Sequence, residues 1–553
     1  MKKKILYAVC ALLAVLLAGC SFPLADIPHV GPSGTQDQIQ SPTEIPTEAP
    51  TEAPTDAPIV PPESFFGQEN ENFYSKFSAE ERALYYTLWD ESSSVQVKID
   101  ITPSELAKIN EAYLDYESNG RSDSTKVDTY RKCDLTITVN GRDYYYEEVG
   151  IRMRGNTSQR DFCNNDGLMY NFVHFRFSFD ETFDGEEYAD GSWGEDIRHD
   201  WTDDSLRKAR KKRTFATMEK MYFKWNKNYD QTYIREVYAN KMFRANGIYA
   251  PNITLTQLSV TQNGNFENIG VGGLYETIDK EFIERNFDEA NTGGDLYKCA
   301  YKQSRADLSS ACCYGVETAT ETFTYSLKTN NDRTAPDYGH NAHLKALINT
   351  LSADKNSVDF QKNLEAVVDM EYFAKFEAVN YLLGNPDCIR NNYNNYYLYF
   401  TPSGKAYFIP YDYDRCLGIT VDWNPGGNGM TQLSPFSIKD SNGGDISNPL
   451  YRKTILTGGI AKYKTLYTQK LCEILSGEWF TYEHFLDMYN SYKATYEAFA
   501  QPSEFILQNC KDKVRVSCFV FGTDGTDDFS STYENISVSD YISAKRTVAQ
   551  KGI

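Results

Sequence analysis

The residues best equipped for chemistry lie close together in the second half of the chain. Gly384-Asn385-Pro386-Asp387-Cys388-Ile389-Arg390-Asn391-Asn392 is followed by Asn394-Asn395-Tyr396-Tyr397-Leu398-Tyr399, and then by Phe408-Ile409-Pro410-Tyr411-Asp412-Tyr413-Asp414. Asp387, Asp412 and Asp414 bring three carboxylates, and the asparagines bring side-chain amides. All are oxygen donors, a set suited to a hard cation such as Mg²⁺ or Mn²⁺. Clustered carboxylates repel one another when buried and need a cation or protons to persist. If strand geometry continues to the end of the last block, alternation puts Asp412 and Asp414 on one face.

A helix, a loop and a hairpin must deliver these groups. Tyr372, Phe376, Val379 and Leu383 recur at helical spacing, and Gly384-Asn385-Pro386 stops that helix. The run Tyr396 to Phe400 reads as a strand, Pro402-Ser403-Gly404 as a turn, and Lys405 to Ile409 as the return strand. Beyond Asn448 the pattern is mostly helical. The first half reads differently. Val95 to Ile101, Cys133 to Val139 and His174 to Phe179 alternate as strands, as does Val149 to Arg154 before the turn at Gly155-Asn156. Thr102 or Ser104 caps an intervening helix. Asn140-Gly141 and Asn263-Gly264 are hairpin turns, the latter between Ile253 to Thr261 and Val271 to Thr277. Tyr233 to Ala245 is helical and stops at Asn246-Gly247. The reading is an α+β fold, with a β-rich N-terminal half and a mainly helical C-terminal half that encloses one hairpin.

The order of parts parallels protein-kinase catalysis. There a loop aspartate receives the acceptor hydroxyl, and an asparagine shortly after it, with an aspartate beyond a hairpin, holds metal ions on the nucleotide phosphates. Asp387 and Asn392 have the spacing of that Asp–Asn pair. On spacing alone the simpler reading is a turn cap at Asp387 and a solvated strand end at Asp412.

The N-terminus predicts export. Met1-Lys2-Lys3-Lys4, an apolar run from Ile5 to Leu17 and Leu17-Ala18-Gly19-Cys20 form a signal peptide over residues 1–19 with a lipobox, so Cys20 becomes diacylated and anchors the chain to a membrane. Residues 20–63 are a Pro/Thr/Glu-rich stalk that cannot bury a core. The folded part is expected over 64–553. A net charge of -21 argues against a nucleic-acid partner, because phosphate binding needs clustered positive charge. The basic run Arg207 to Arg213 is a solvated loop or helix face. Six histidines and no CxxC pair argue against zinc. Twelve cysteines less Cys10 and Cys20 leave an even number, which permits disulfides outside the cell. Cys299 is the candidate partner for Cys312-Cys313, but connectivity is not readable.

Ordered blocks resemble the CotH family, the spore-coat-type proteins with a diverged protein-kinase-like fold. Val149-Gly150-Ile151-Arg152-Met153-Arg154-Gly155-Asn156-Thr157-Ser158 resembles its VGIRLRGNSS block. Tyr233-Ile234-Arg235-Glu236 with Phe243 to Pro251 resembles its LRE helix and GVPAP turn. Gly272 to Phe282 resembles its GLY strand and ID turn, and Asn394 to Tyr399 and Phe408 to Asp414 resemble its NNYYLY and FIPWDxD blocks. The resemblance spans roughly 95–550.

The resemblance implies a lipid-anchored, extracytoplasmic kinase that transfers the γ-phosphate of ATP, with Mg²⁺ or Mn²⁺, to Ser or Thr of a surface or spore-coat protein. Asp387 takes the catalytic loop role, and Asp412 with Asp414 the metal-binding role, with Asn392 or Asn395, or Asn391, as a further ligand. Arg154 and Arg176 are the candidates for the phosphates and Glu236 for the glutamate that orients the basic group. Glu276 and Asp279 lie where a hinge would meet nucleotide or simply cap a turn. Three departures stand out. The family's Lys-Lys-Ser-Phe-Arg stretch reads Phe172-Val173-His174-Phe175-Arg176-Phe177, so a phosphate-binding lysine is not evident there. Its Trp before the metal aspartate is Tyr411, and its amide lies closer to the loop aspartate than Asn395 does to Asp387. The alternative is a non-catalytic surface scaffold on a kinase-like fold.

Overall fold

Alternating residues build the first half. In β1 (Val95–Asp100) Val95, Val97 and Ile99 are buried while Gln96 and Lys98 are half-buried, and β2 (Arg131–Val139) repeats the pattern. Each such strand has one apolar face to cover. The computed structural model describes residues 70–553 except 122–125, 157, 229, 303, 311–313, 316–322, 331–340, 420–427, 512–518 and 523–535. The chain divides into two units, Met1–Pro58 and Ile59–Ile553, and the described residues belong to the second. The expected signal peptide, Cys20, the stalk and Cys312-Cys313 lie outside the described residues.

The apolar faces are covered by closing the sheet on itself. β3 (Arg142–Arg154), β4 (His174–Ser178), β5 (Lys220–Trp225), β6 (Ile253–Gln262) and β7 (Asn265–Glu276) join β1 and β2 in a barrel of order β1-β2-β3-β4-β5-β7-β6. Neighbours are antiparallel except β1 and β6, which run parallel and complete the ring. Val97, Ile137, Ile151, Phe175, Phe223 and Leu274 fill the interior. The two Asn-Gly turns form as expected, with both residues of each at positive φ. Strand β5 was not foreseen from the sequence. It lies immediately before the Tyr233 helix, and its five consecutive buried residues, Met221 to Trp225, hide the alternation.

The hairpin of the second half is not isolated. β8 (Asp295–Cys299), β9 (Tyr314–Gly315) and β10 (Tyr325–Leu327) extend β11 (Tyr396–Phe400) and β12 (Ala406–Pro410) into a five-stranded sheet of order β12-β11-β8-β10-β9. β9 and β10 are too short to show a period, and in β8 the adjacent buried Leu296 and Tyr297 break alternation. The helix Met370–Leu383 packs beside this sheet with Phe373, Phe376, Val379 and Leu383 fully buried. The helices Ala461–Ser476 and Val538–Gly552 pack against it. Gly384 ends it at φ +62°, and a Cβ there would meet the Tyr541 hydroxyl of the last helix.

Arg207 to Arg210 of the basic run lie in the helix Asp204–Arg210 and the rest follows its end. Its arginines hold structure: Arg207 pairs with Asp184, Arg210 with Glu148 at 3.0 Å, and Arg213 donates to the Phe179 carbonyl at 2.6 Å. Cys133, Cys163, Cys388 and Cys416 are buried free thiols.

Candidate active site

Strand β5 supplies the basic residue missing from the sequence reading. Lys224 is 6% exposed, and its Nζ lies 2.8 Å from Glu236 Oε2, 2.5 Å from Asp412 Oδ1 and 3.1 Å from Asp414 Oδ2. The partners arrive from two elements. Glu236 sits in the first turn of the helix Arg235–Ala245 and also accepts from Tyr275 of β7 at 2.6 Å. Asp412 and Asp414 follow β12. The signal for Lys224 was its place on the polar face of Lys-Met-Tyr-Phe-Lys-Trp, shortly before Glu236.

The expected route for the two aspartates is corrected by the backbone. Strand geometry stops at Pro410, and Asp412 adopts φ +58°. That conformation is unusual for a residue with a side chain and clusters at functional sites. Asp412 and Asp414 converge on Lys224 because the chain turns, not because a strand continues. Asn385 donates to the Asp412 carbonyl at 3.3 Å and Asn228 to that of Asp414 at 3.1 Å, fixing the turn.

Charge balance at the cluster is mutual. Burial opposes the Lys224 ammonium, but Asp412, Asp414 and Glu236 outweigh it and hold its pKa well above the usual value. Burial pushes the Asp412 carboxyl up, yet Lys224 and then Lys227 keep it below the carboxylate range. Glu236 goes the other way: burial raises it, and Asp414 and Asp412 counter the help it receives from Lys224. Lys227 stands 3.4 Å from Asp414. One oxygen from each of Glu236, Asp412 and Asp414 lies within 4.8 Å of the others. This all-oxygen, multiply charged donor set fits a hard divalent cation.

Asp387 occupies the loop after the helix Met370–Leu383. Asn385 Oδ1 accepts from its backbone N–H at 2.9 Å. Its Oδ1 accepts from Asn392 at 2.7 Å and Asn394 at 3.1 Å, and its Oδ2 from Asn395 at 2.9 Å. Burial raises its pKa, the amides of Asn392 and Asn394 oppose that rise, and the charges of Asp412 and Asp414 add to it. The same two aspartates thus act on both Lys224 and Asp387. Beneath the loop, buried Arg390 pairs with buried Glu377 at 2.5 Å and donates to the Pro435 carbonyl at 2.9 Å. Glu377 also accepts from Tyr451 at 2.5 Å and Asn380 at 2.7 Å. The loop therefore stands on a satisfied buried network, which favours one conformation.

The other candidates fall into two groups. Arg154 of β3 lies 3.3 Å over the Tyr222 ring and donates to the Tyr411 hydroxyl at 2.8 Å, so it joins the barrel to the Asp412 turn. Arg176 pairs across the strands with Arg152 and Tyr222, and its Nε has no hydrogen-bond partner. Glu276 and Asp279 are engaged in local structure. Glu276 is 1% exposed and holds Arg285 at 2.5 Å, Tyr85 at 3.0 Å and the Asn252 backbone at 2.9 Å. Asp279 caps the helix Lys280–Asn286 through the Phe282 N–H at 3.2 Å. Among the asparagines, Asn392 and Asn395 give their N–H groups to Asp387, whereas Asn391 turns toward the Asn385 carbonyl at 3.2 Å with its own Oδ1 buried and unpartnered.

A family model described as CotH kinase protein matches residues 196–542. The matched range takes in Lys224, Glu236, Asp387, Asp412 and Asp414, while Arg154 and Arg176 precede it. No curated protein matches the chain.

Proposed function

The chain belongs to the CotH kinase family, and from that premise we propose that it transfers the γ-phosphoryl group of ATP to a Ser or Thr hydroxyl of a protein, on a diverged kinase-like fold. The observation that carries this reading is the cluster in which Lys224, Glu236, Asp412 and Asp414 meet beside β5, electrostatically coupled to Asp387. Phosphoryl transfer is mainly a matter of positioning and charge stabilisation, and these groups supply both.

The roles follow from the contacts. Lys224 is the cation for the phosphates, and Glu236, braced by Tyr275, aims it. Arg154 and Arg176 add positive charge on the neighbouring strands. Asp387 orients the acceptor hydroxyl and takes its proton as the new P–O bond forms and the bond to the ADP oxygen breaks. Three asparagine amides hold the Asp387 carboxylate in place for that task. A bound Mg²⁺ or Mn²⁺ supplies charge neutralisation on the phosphates, and Asp412 and Asp414 would hold it, with an asparagine amide oxygen.

The acceptor is proposed to be a surface or coat protein, met outside the cell, where diacylated Cys20 anchors the enzyme on its Pro/Thr/Glu-rich stalk. The test is label transfer from γ-labelled ATP by the purified chain with Mg²⁺ or Mn²⁺, beside Asp387→Asn and Asp412→Asn. Incorporation by the wild type, falling at least about 100-fold in each variant, supports the reading. Equal background in all three proteins defeats it. Nucleotide binding without transfer would identify the scaffold alternative.

A further inference from the structure

The outer face of the barrel holds one buried group that the proposed reaction leaves unused. His174 of β4 is 3% exposed. Its Nδ1 accepts from the Trp225 backbone N–H at 3.1 Å, which places the ring proton on Nε2, and Nε2 has no hydrogen-bond partner. A buried donor without an acceptor is rare in folded proteins and marks a place where an acceptor belongs.

The neighbours say what kind of acceptor. His174 stands directly opposite Arg154 of β3. Phe175 stands opposite Phe223, so the next step along β5 brings Lys224 beside His174. Side chains of facing residues share a face, so three adjacent strands present a guanidinium, an imidazole N–H and an ammonium in one row. Burial, then Lys224, Lys227 and Arg154, hold the imidazole well below its ordinary pKa. The ring stays neutral and keeps its N–H as a donor. Gly155, at φ +116°, passes over the same side: a Cβ there would meet the Ser158 hydroxyl and lie 3.5 Å from the ring Cδ2.

We propose that His174 Nε2–H donates to a phosphate oxygen of the nucleoside triphosphate held at Lys224, making His174 a phosphate-binding residue of this site. The proposal rests on the nucleotide-binding reading given above. It adds a directional, uncharged donor between two cations.

Calorimetric binding of ATP and of adenosine to the full-length protein with Mn²⁺ tests it, in the wild type, His174→Asn and His174→Gln. Asparagine keeps an acceptor for Trp225 but lacks the reach of Nε2, whereas glutamine extends an amide N–H toward that position. ATP binding is expected to weaken about 10- to 100-fold in the asparagine variant, with adenosine unchanged and most of the loss restored by glutamine. Unchanged ATP affinity in His174→Asn overturns the proposal, and so does an equal loss for ATP and adenosine. A wild type that does not prefer ATP to adenosine removes the nucleotide-site reading itself, a distinct result. In unaltered protein carrying ¹⁵N-histidine, ATP is expected to shift the His174 Nε2–H signal and adenosine to leave it; an unmoved signal overturns the proposal without any variant.

Discussion

An ammonium among three carboxylates depends on every member of the group. With Lys224 removed, Glu236, Asp412 and Asp414 are left as close, poorly solvated negative charges. Lys224→Met is expected to cost about 3–5 kcal/mol of stability. A divalent cation can replace the missing charge, so Mn²⁺ should raise the melting temperature of the variant more than that of the wild type. Scanning calorimetry with MnCl₂ or EDTA measures this, and equal shifts would mean that no cation binds among these carboxylates. Asp387 makes a second prediction. Its folded pKa is raised by burial, and a base must be ionised to act. Activity is therefore lost as pH falls through that raised value, and the acidic limb of kcat should lie above the ordinary aspartate value of about 3.9. Asn392→Ala removes a donor that favours the ionised form, so its limb should move to still higher pH. A pH–rate profile with both limbs superimposed would refute this. At this scale local spacing put Asp387 near Asn392 and Asp412 near Asp414, but the strand expected to carry the two aspartates stops at Pro410 and Asn392 gives its N–H to Asp387. Lys224 was not legible, because Glu236 lies on a helix and Asp412 and Asp414 in the turn after β12, and only the fold joins them to β5.

Elements place these groups through their ends. The helix Met370–Leu383 stops at Gly384, whose φ of +62° favours glycine. The Tyr541 hydroxyl, which donates to the Leu382 carbonyl at 3.1 Å, fills the space a side chain would need. Gly384→Ala should therefore cost more than the roughly 1–2 kcal/mol expected of the left-handed backbone alone. Combined with Tyr541→Phe, which removes the obstructing hydroxyl, the added cost should shrink. A double-mutant cycle by urea denaturation checks the coupling, and strict additivity would exclude it. The stop at Gly384 was readable from Gly-Asn-Pro, as the hairpins were from Asn-Gly. Strand β5 was not, since burial on both faces erases alternation; β9 and β10 are too short to show a period, and in β8 the adjacent buried Leu296 and Tyr297 break it. The turn that carries Asp412 was also hidden, because a left-handed aspartate leaves no pattern in its neighbours.

At the scale of the whole molecule the proposed location can be tested apart from the chemistry. If Cys20 carries the lipid, Cys20→Ser should move the protein from the membrane fraction to the soluble or released fraction, with the purified domain's melting temperature unchanged. Cell fractionation and blotting read this directly, and an unchanged membrane share would exclude lipid anchoring at Cys20. The barrel strands other than β5 were legible, but the ring was not. Its closure pairs Gln96 with Gln257, and no local pattern announces a partner so distant. The order of synthesis makes that closure late. β1 emerges early and soon gains β2 on one side, but its other edge stays bare until β6 has been made. A bare strand edge invites pairing with other chains, and long-range pairing forms slowly. A chain truncated before Ile253 would leave that edge of β1 without its partner and open to pairing with other chains.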